Sequence, residues 1–425
     1  MNSGQNLVKM IPRTAIPIGN KEIAVLSSMF LGNLTGEQPI REFEQDLANY
    51  LGAQEALAFN SGRTALLTAL KALDLKPKTE VLVPAYTCAI VFEVILRLGL
   101  KVVPVDVDPG TYNINPDRVS KVTTPRTEVI IPIHLFGQPC RMDEILEIAK
   151  KHSLFVIEDV AQALGATYKK RKVGTIGDMA IFSFGPGKSM TSGEGGAIAV
   201  NNSQFRDKVT ELQEKLQTPD LNWNLTVARN IIAMKTLSNP SLYRRWRERV
   251  DDSLLRGDEA IVENCVNSAQ HGQSAELNPT VRMAKMPAVS AEIARIQLRK
   301  LDNLNEKRRT NAAELNSLLG ELYDLLATPR TDGDVEHTFS RFAVRILKGS
   351  REGLMRRLLE RGIDTEKPYF YLPKVLEALD AKPPVALALA QSALTLPVHP
   401  QVESSDLTYM ANALTSELRA LPAVD

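Results

Sequence analysis

Five short runs built almost wholly of apolar residues, EALAF, EVLVP, KVVPVDV, EVIIPI and LFVIED, recur between residues 55 and 159. A strand with one wet face alternates apolar and polar residues. A run that is apolar throughout belongs to a strand covered on both faces, as in a parallel sheet flanked by helices. The segments around and between these runs have the helical period: IREFEQDLANYLG, in which Ile40, Phe43, Leu47 and Leu51 share one face, then RTALLTALKALDL, CAIVFEVILRLG and MDEILEIAKKH. Strand and helix in alternation with short connections predict an α/β domain with a mostly parallel sheet flanked by helices.

Beyond Asp159 the pattern changes. DMAIFSF and GGAIAVN read as two further strands joined by a glycine-rich stretch, and a helix is expected from Gln204 to about Gln217. Residues 218–285 contain the apolar LTVARNIIAMKTL and the basic YRRWRERV but no evident strand. A long helical pattern begins at PAVSAEIARIQLRKL, and FSRFAVRIL, GLMRRLLERGI and ALTLPVHP follow it. The expected organisation is a large domain over 1–286, with a long insertion at about 218–285, and a small C-terminal α+β domain over 287–425.

Composition narrows the function. The net charge of +1 supplies no field for nucleic acid or acidic membranes, and aromatics at 5% leave little for a base-stacking surface. Cys88, Cys140 and Cys265 are far apart and form no Cys-x-x-Cys, and the five histidines have no ligand spacing, so neither disulfides nor a metal site is expected. No leader pattern and no membrane-length apolar run is present, so the expected place is the cytoplasm.

The chemistry is concentrated in FSFGPGKSMTSGEGG, residues 182–196. A phosphate loop needs a glycine five places before Gly187-Lys188-Ser189, but that place holds Phe182, and a strand rather than a helix follows. A lysine in a turn is usually a solvated surface group. Here Gly185, Gly187, Gly193, Gly195 and Gly196 let the backbone close around Lys188, and a desolvated amine is a nucleophile toward carbonyls. Asp159 ends an apolar strand, where open α/β sheets gather their ligand sites. Its carboxylate suits either a helix N-cap or the partner of a pyridine nitrogen, as pyridoxal phosphate (PLP) chemistry requires. In FNSGRTALLTAL a strand ends at Phe59, and Ser61, Gly62, Arg63 and Thr64 open a helix, a natural anion site to which Arg63 adds charge.

These motifs, in this order, resemble the DegT/DnrJ group of sugar aminotransferases. The resemblance runs over nearly the whole chain and is most specific in IIPIHLFGQPCRMDEILEIAKKHSLFVIEDVAQALGATYKKRKVGTIGDMAIFSFGPGKSMTSGEGGAIAVNN. It implies the PLP-dependent transferase fold type I and PLP as cofactor. Lys188 is then the Schiff-base lysine and proton shuttle, Asp159 the partner of the ring nitrogen, and Gln162 that of the phenolic oxygen. Ser183, Gly62, Arg63 and Thr64 would hold the phosphate. His134 is either pocket floor or core. An amino-acid donor, L-glutamate, and a keto or aldehyde sugar acceptor, nucleotide-linked, are implied as substrates of a homodimer in a ping-pong cycle.

The sequence departs from the group's pattern in four places. Arg63 stands where Thr or Ser is usual. Cys88 stands at the ring-stacking aromatic, with Tyr86 two residues away. Thr280, with Asn278 nearby, stands at the asparagine donated across the dimer. The 218–285 segment is long, and it either covers the acceptor or packs at the dimer edge. A sugar dehydratase of the same group typically replaces the lysine with histidine, against which Lys188 stands. A non-catalytic PLP-binding regulator finds only the YRRWRERV patch in its favour.

Overall fold

The computed structural model describes residues 10–30, 36–237, 239–271, 282–331 and 333–420. The apolar runs form β1 (Glu55–Phe59), β2 (Glu80–Pro84), β3 (Lys101–Val105), β4 (Thr127–Ile130) and β5 (Phe155–Asp159), joined by β6 (Met179–Ser183) and β7 (Gly196–Val200) in one sheet. Its strand order is β1-β7-β6-β5-β4-β2-β3. All neighbours are parallel except at β7, which runs antiparallel to both β1 and β6.

Both faces are covered, which is why the runs lack alternation. Leu57 and Phe59 of β1, and Met179 and Ile181 of β6, enter one core with helices α3 (Gly62–Ala72) and α4 (Ala89–Arg97). Ala56, Ala58, Ala180 and Phe182 point the other way, toward α2 (Gln38–Leu51), where Ile40, Phe43, Leu47 and Leu51 are all buried. Short helix α1 (Asn20–Phe30) precedes α2, and α5 (Pro116–Val122) and α6 (Met142–His152) cover the β2–β5 half of the sheet.

Among its described residues the hard-to-read segment is mostly helical. After α7 (Arg206–Glu214), α8 (Leu221–Leu237) and the 32-residue α9 (Pro240–His271) occupy it. Helix α9 packs on α4, where the Cys265 thiol donates to the Ala89 carbonyl at 3.4 Å. Helix α10 (Ala288–Arg299) still buries Ala291, Ala294 and Leu298 in the core beside α2. Within α11 (Leu301–Leu318) the packing partner changes. Ala312 and Leu315 join a second core with the antiparallel sheet β8 (Leu326–Ala327), β9 (Phe342–Ile346) and β10 (Ala393–Leu396). Helices α12 (Arg351–Glu360) and α15 (Ser404–Arg419) cover that sheet, while α13 (Leu372–Ala378) and α14 (Pro384–Ser392) return to the first core. Ile11 also belongs to the second core, bridged to Ile363. Core membership therefore passes over inside α11, and the second core includes a segment near the start of the chain. Among the described residues no helix is long and apolar enough to cross a membrane.

One buried carboxylate ties these parts together. Asp364, about 1% exposed at its side chain, accepts from Arg13 Nε at 2.8 Å, from Arg247 Nε of α9 at 3.1 Å, and from the Tyr243 hydroxyl. Removing one member of a buried ionic group leaves the others charged and desolvated. Asp364→Asn is expected to cost about 3–5 kcal/mol of stability, read as a lower urea midpoint by circular dichroism.

Candidate active site

The carboxyl ends of β1, β5 and β6 lie on one edge of the sheet, and antiparallel β7 begins there. Gly196 pairs with both Phe59 and Ser183, and Asp159 pairs with Ile181. This register brings the turn after β1, the end of β5 and the glycine-rich loop to one place. Two glycines are required for it. A Cβ on Gly196 would lie 2.3 Å from the Ser61 carbonyl carbon, and one on Gly62 would lie 2.8 Å from the Ser183 Cβ.

A cavity of about 1090 Å³ opens at this edge, lined by Gly62, Arg63, Cys88, Asp159, Ser183 and Lys188, among others. Ser61 caps α3 by accepting from the Thr64 amide at 3.1 Å. The first-turn amides of Gly62 and Arg63 have no helical carbonyl to meet. With the guanidinium of Arg63 and the hydroxyl of Ser183 they make a cradle for an anion.

Lys188 follows Gly187, which has φ of 79°. Burial pushes its amine below the usual lysine range, opposed chiefly by the charge of Asp159. Asp159, about 6% exposed, accepts from the Ala161 amide at 2.9 Å through Oδ1. Its Oδ2 has no partner among the described residues. Burial raises this carboxyl, while the Ala161 amide, Lys188 and His134 pull it back. A cation placed at Oδ2 would be paired where no water competes.

Other expected residues sit differently. Thr64 is buried behind the cradle, with its hydroxyl donating to Asn60 Oδ1 at 2.7 Å. Tyr86 is fully buried beneath the site. Its hydroxyl donates to the Pro368 carbonyl at 3.1 Å, and its ring meets Tyr369 edge-on at 5.2 Å. Cys88, the N-cap position of α4, reaches the cavity wall instead. Gln162 lines a second chamber of about 220 Å³, where it donates to the Tyr369 hydroxyl at 2.8 Å and accepts from the Phe136 amide. The two chambers share Cys88 and Lys188.

His134 is a core residue. Its Nδ1 accepts from the Cys140 amide at 2.9 Å, which leaves Nε2–H to donate to Glu158 at 3.1 Å. Burial pushes the Glu158 carboxyl up, but His134 and the amides of Gly174 and Gly177 outweigh burial and hold it below the usual range. Thr280 and Asn278 lie outside the described residues. Among the described residues no group of three or more His, Cys, Asp or Glu could hold a metal ion.

Sequence reading missed the far wall. Trp223 of α8 donates to Glu194 at 2.9 Å, and the Arg282 guanidinium lies 5.6 Å from the Trp223 ring centre, both within the larger cavity. The N-terminal part of the long insertion thus lines the site, whereas α9 packs away from it on α4 and α13.

The sequence model of the DegT/DnrJ/EryC1/StrS aminotransferase family matches residues 19–227 and 254–415, leaving a gap across most of α8 and the start of α9. GDP-perosamine synthase of Caulobacter vibrioides is 40% identical over 220 residues, 50% of this chain and 59% of that one. The dTDP-3-amino-3,4,6-trideoxy-alpha-D-glucose transaminase of Streptomyces venezuelae is 30% identical over 85% of this chain and 82% of its own. The crystal structure of S. venezuelae DesV in complex with a ketimine intermediate superposes with a TM-score of 0.71 at 27% identity, covering 95% of each chain.

The charge balance at Lys188 is directly measurable. In cofactor-free protein, labelling of Lys188 by an amine-selective reagent is expected to titrate with a midpoint below that of exposed lysines, about 10.4. Asp159→Asn removes the charge that opposes the shift, so the midpoint should fall further. Peptide mass spectrometry across a pH series reads both.

Proposed function

Because this chain belongs to the DegT/DnrJ/EryC1/StrS aminotransferase family, whose enzymes depend on PLP, we propose that it moves the amino group of an amino acid, L-glutamate, to a keto or aldehyde sugar carried on a nucleotide. The observation that carries this reading is the meeting of the Lys188 amine and the Asp159 carboxylate on one cavity beside the open N-terminus of α3. The cavity fits the cofactor: an amine of depressed pKa, a carboxyl whose Oδ2 has no partner among the described residues, and an anion cradle that a Cβ on Gly62 would crowd.

Lys188 is the residue that would bind the cofactor's aldehyde carbon, and Asp159 the one that would pair with its ring nitrogen. Gly62, Arg63 and Ser183 would hold its phosphate, and Cys88, which lines the cavity where Tyr86 does not, would face the ring. When bound, PLP supplies an electron sink for the pair left behind as a substrate α-proton departs. Nζ of Lys188 takes that proton and returns it. It suits the task because burial leaves the amine neutral nearer to operating pH than an ordinary lysine. Asp159 is desolvated, so when ionised its charge is screened less than that of a surface carboxylate.

The larger cavity exceeds what the cofactor alone would fill, and its far wall of Glu194, Trp223 and Arg282 offers charge and an aromatic face to an acceptor. The names of the perosamine synthase and the dTDP-sugar transaminase support a nucleotide-linked sugar there. The protein works as a cytoplasmic homodimer built of a large PLP-binding domain and a small C-terminal domain.

The test is the amino-donor half-reaction. L-Glutamate is expected to discharge the visible absorbance of the holoenzyme, and a keto-sugar nucleotide to restore it. Lys188→Ala should not turn over, and Asp159→Asn should turn over about 10²-fold or more slowly. Normal transamination by Lys188→Ala would refute the assignment.

A further inference from the structure

The chamber of about 220 Å³ lies against Lys188 and includes none of the α3 cradle's residues; residues far along the chain build it: Ser340, Arg341, Glu366, Lys367 and Tyr369, with Phe136. Two of its aromatic walls have left-handed backbone, Phe136 at φ 56° and Tyr369 at φ 52°. Bulky side chains adopt that conformation only where the surroundings impose it, and such strain gathers at ligand sites. The rings of Phe136 and Tyr369 are parallel to within 13°, with centres 6.3 Å apart.

Polar capacity is left over on this wall. Arg341 donates through Nη1 to the carbonyls of Gly187 and Ser340, each at 2.9 Å, and through Nε to Glu366 at 3.2 Å. Its Nη2 meets no acceptor among the described residues. Gly187 keeps that nitrogen open, since a Cβ there would lie 3.1 Å from it. The Ser340 hydroxyl is buried without a partner among the described residues. Positive charge exceeds negative here. Lys367 stands over the Phe370 ring at 4.4 Å, and the buried Arg308 near Arg341 bonds, among the described residues, only Asn305 and the Ser189 carbonyl. Burial, with the charge of Arg341 added, lowers Arg308 to about 10.

We propose that Ser340 and Arg341 bind the carboxylate of the amino donor, so that the donor enters through the smaller chamber while the larger cavity receives the acceptor. The inference rests on the aminotransferase reading. A guanidinium nitrogen and a hydroxyl without partners suit a carboxylate, which only accepts hydrogen bonds. A volume of about 220 Å³ admits an amino acid but not a nucleotide-linked sugar. Lys188, shared by both chambers, is then within reach of both substrates.

Glutarate, a dicarboxylate without an amine, separates binding from turnover. Calorimetry on the holoenzyme is expected to detect glutarate binding that weakens about tenfold or more in Arg341→Gln and about threefold in Ser340→Ala. Arg341→Lys should recover part of the loss. In the half-reaction, Arg341→Gln should raise KM for L-glutamate by a similar factor and impair the response to L-glutamate more than that to benzylamine, which has no carboxylate. Absence of glutarate binding to wild type, or equal affinity in wild type, Arg341→Gln and Ser340→Ala, overturns the proposal. A wild-type protein that binds glutarate through Arg341 but never reacts with any amine would instead overturn the aminotransferase reading and leave the carboxylate site standing.

Discussion

Everything at the site depends on how closely β7 approaches the turn after β1. At Gly196 the backbone of Ser61 occupies the space of a side chain, and at Gly62 the end of β6 does the same. Without those two contacts the N-terminus of α3 could not sit beside the end of β6, and Ser183 would stand apart from the amides it accompanies. The same antiparallel pairing of β7 with β6 bends the intervening loop back over the sheet edge, which sets Lys188 across from Asp159. Strand register, rather than any single bond, is what assembles the chemistry.

The electrostatics follow from that packing. A lysine and a carboxylate drawn out of water shift toward neutrality, and each lessens the shift of the other. Neighbouring Glu158 shows the contrast. It is just as buried, but it is saturated by His134 and the amides of Gly174, Ile176 and Gly177, so it stays charged and serves the fold. Consecutive residues on one strand thus have opposite fates, because alternate side chains face opposite sides of the sheet.

What could be read in advance was what is local. The doubly covered strands, the face of α2, Lys188 among its glycines and Asp159 at a strand end each declare themselves within a dozen residues. Cys88 and Tyr86 could not be ranked, because two residues of an irregular turn are separated only by where α4 starts. Helix α8 stayed hidden because its apolar residues make no single stripe: Val227, Ala228 and Ile231 are buried, while Leu221 and Ile232 are exposed. Ser340, Arg341 and Tyr369 were invisible for another reason. They meet Lys188 only after the second core has formed, across more than 150 residues of chain.

The central claim is a covalent one, and it can be read on a single peptide. Reduction of the holoenzyme with borohydride, followed by digestion and mass spectrometry, would locate the lysine that carries the cofactor. The account predicts a phosphopyridoxyl group on Lys188 alone; the label on any other lysine, or on none, would contradict it.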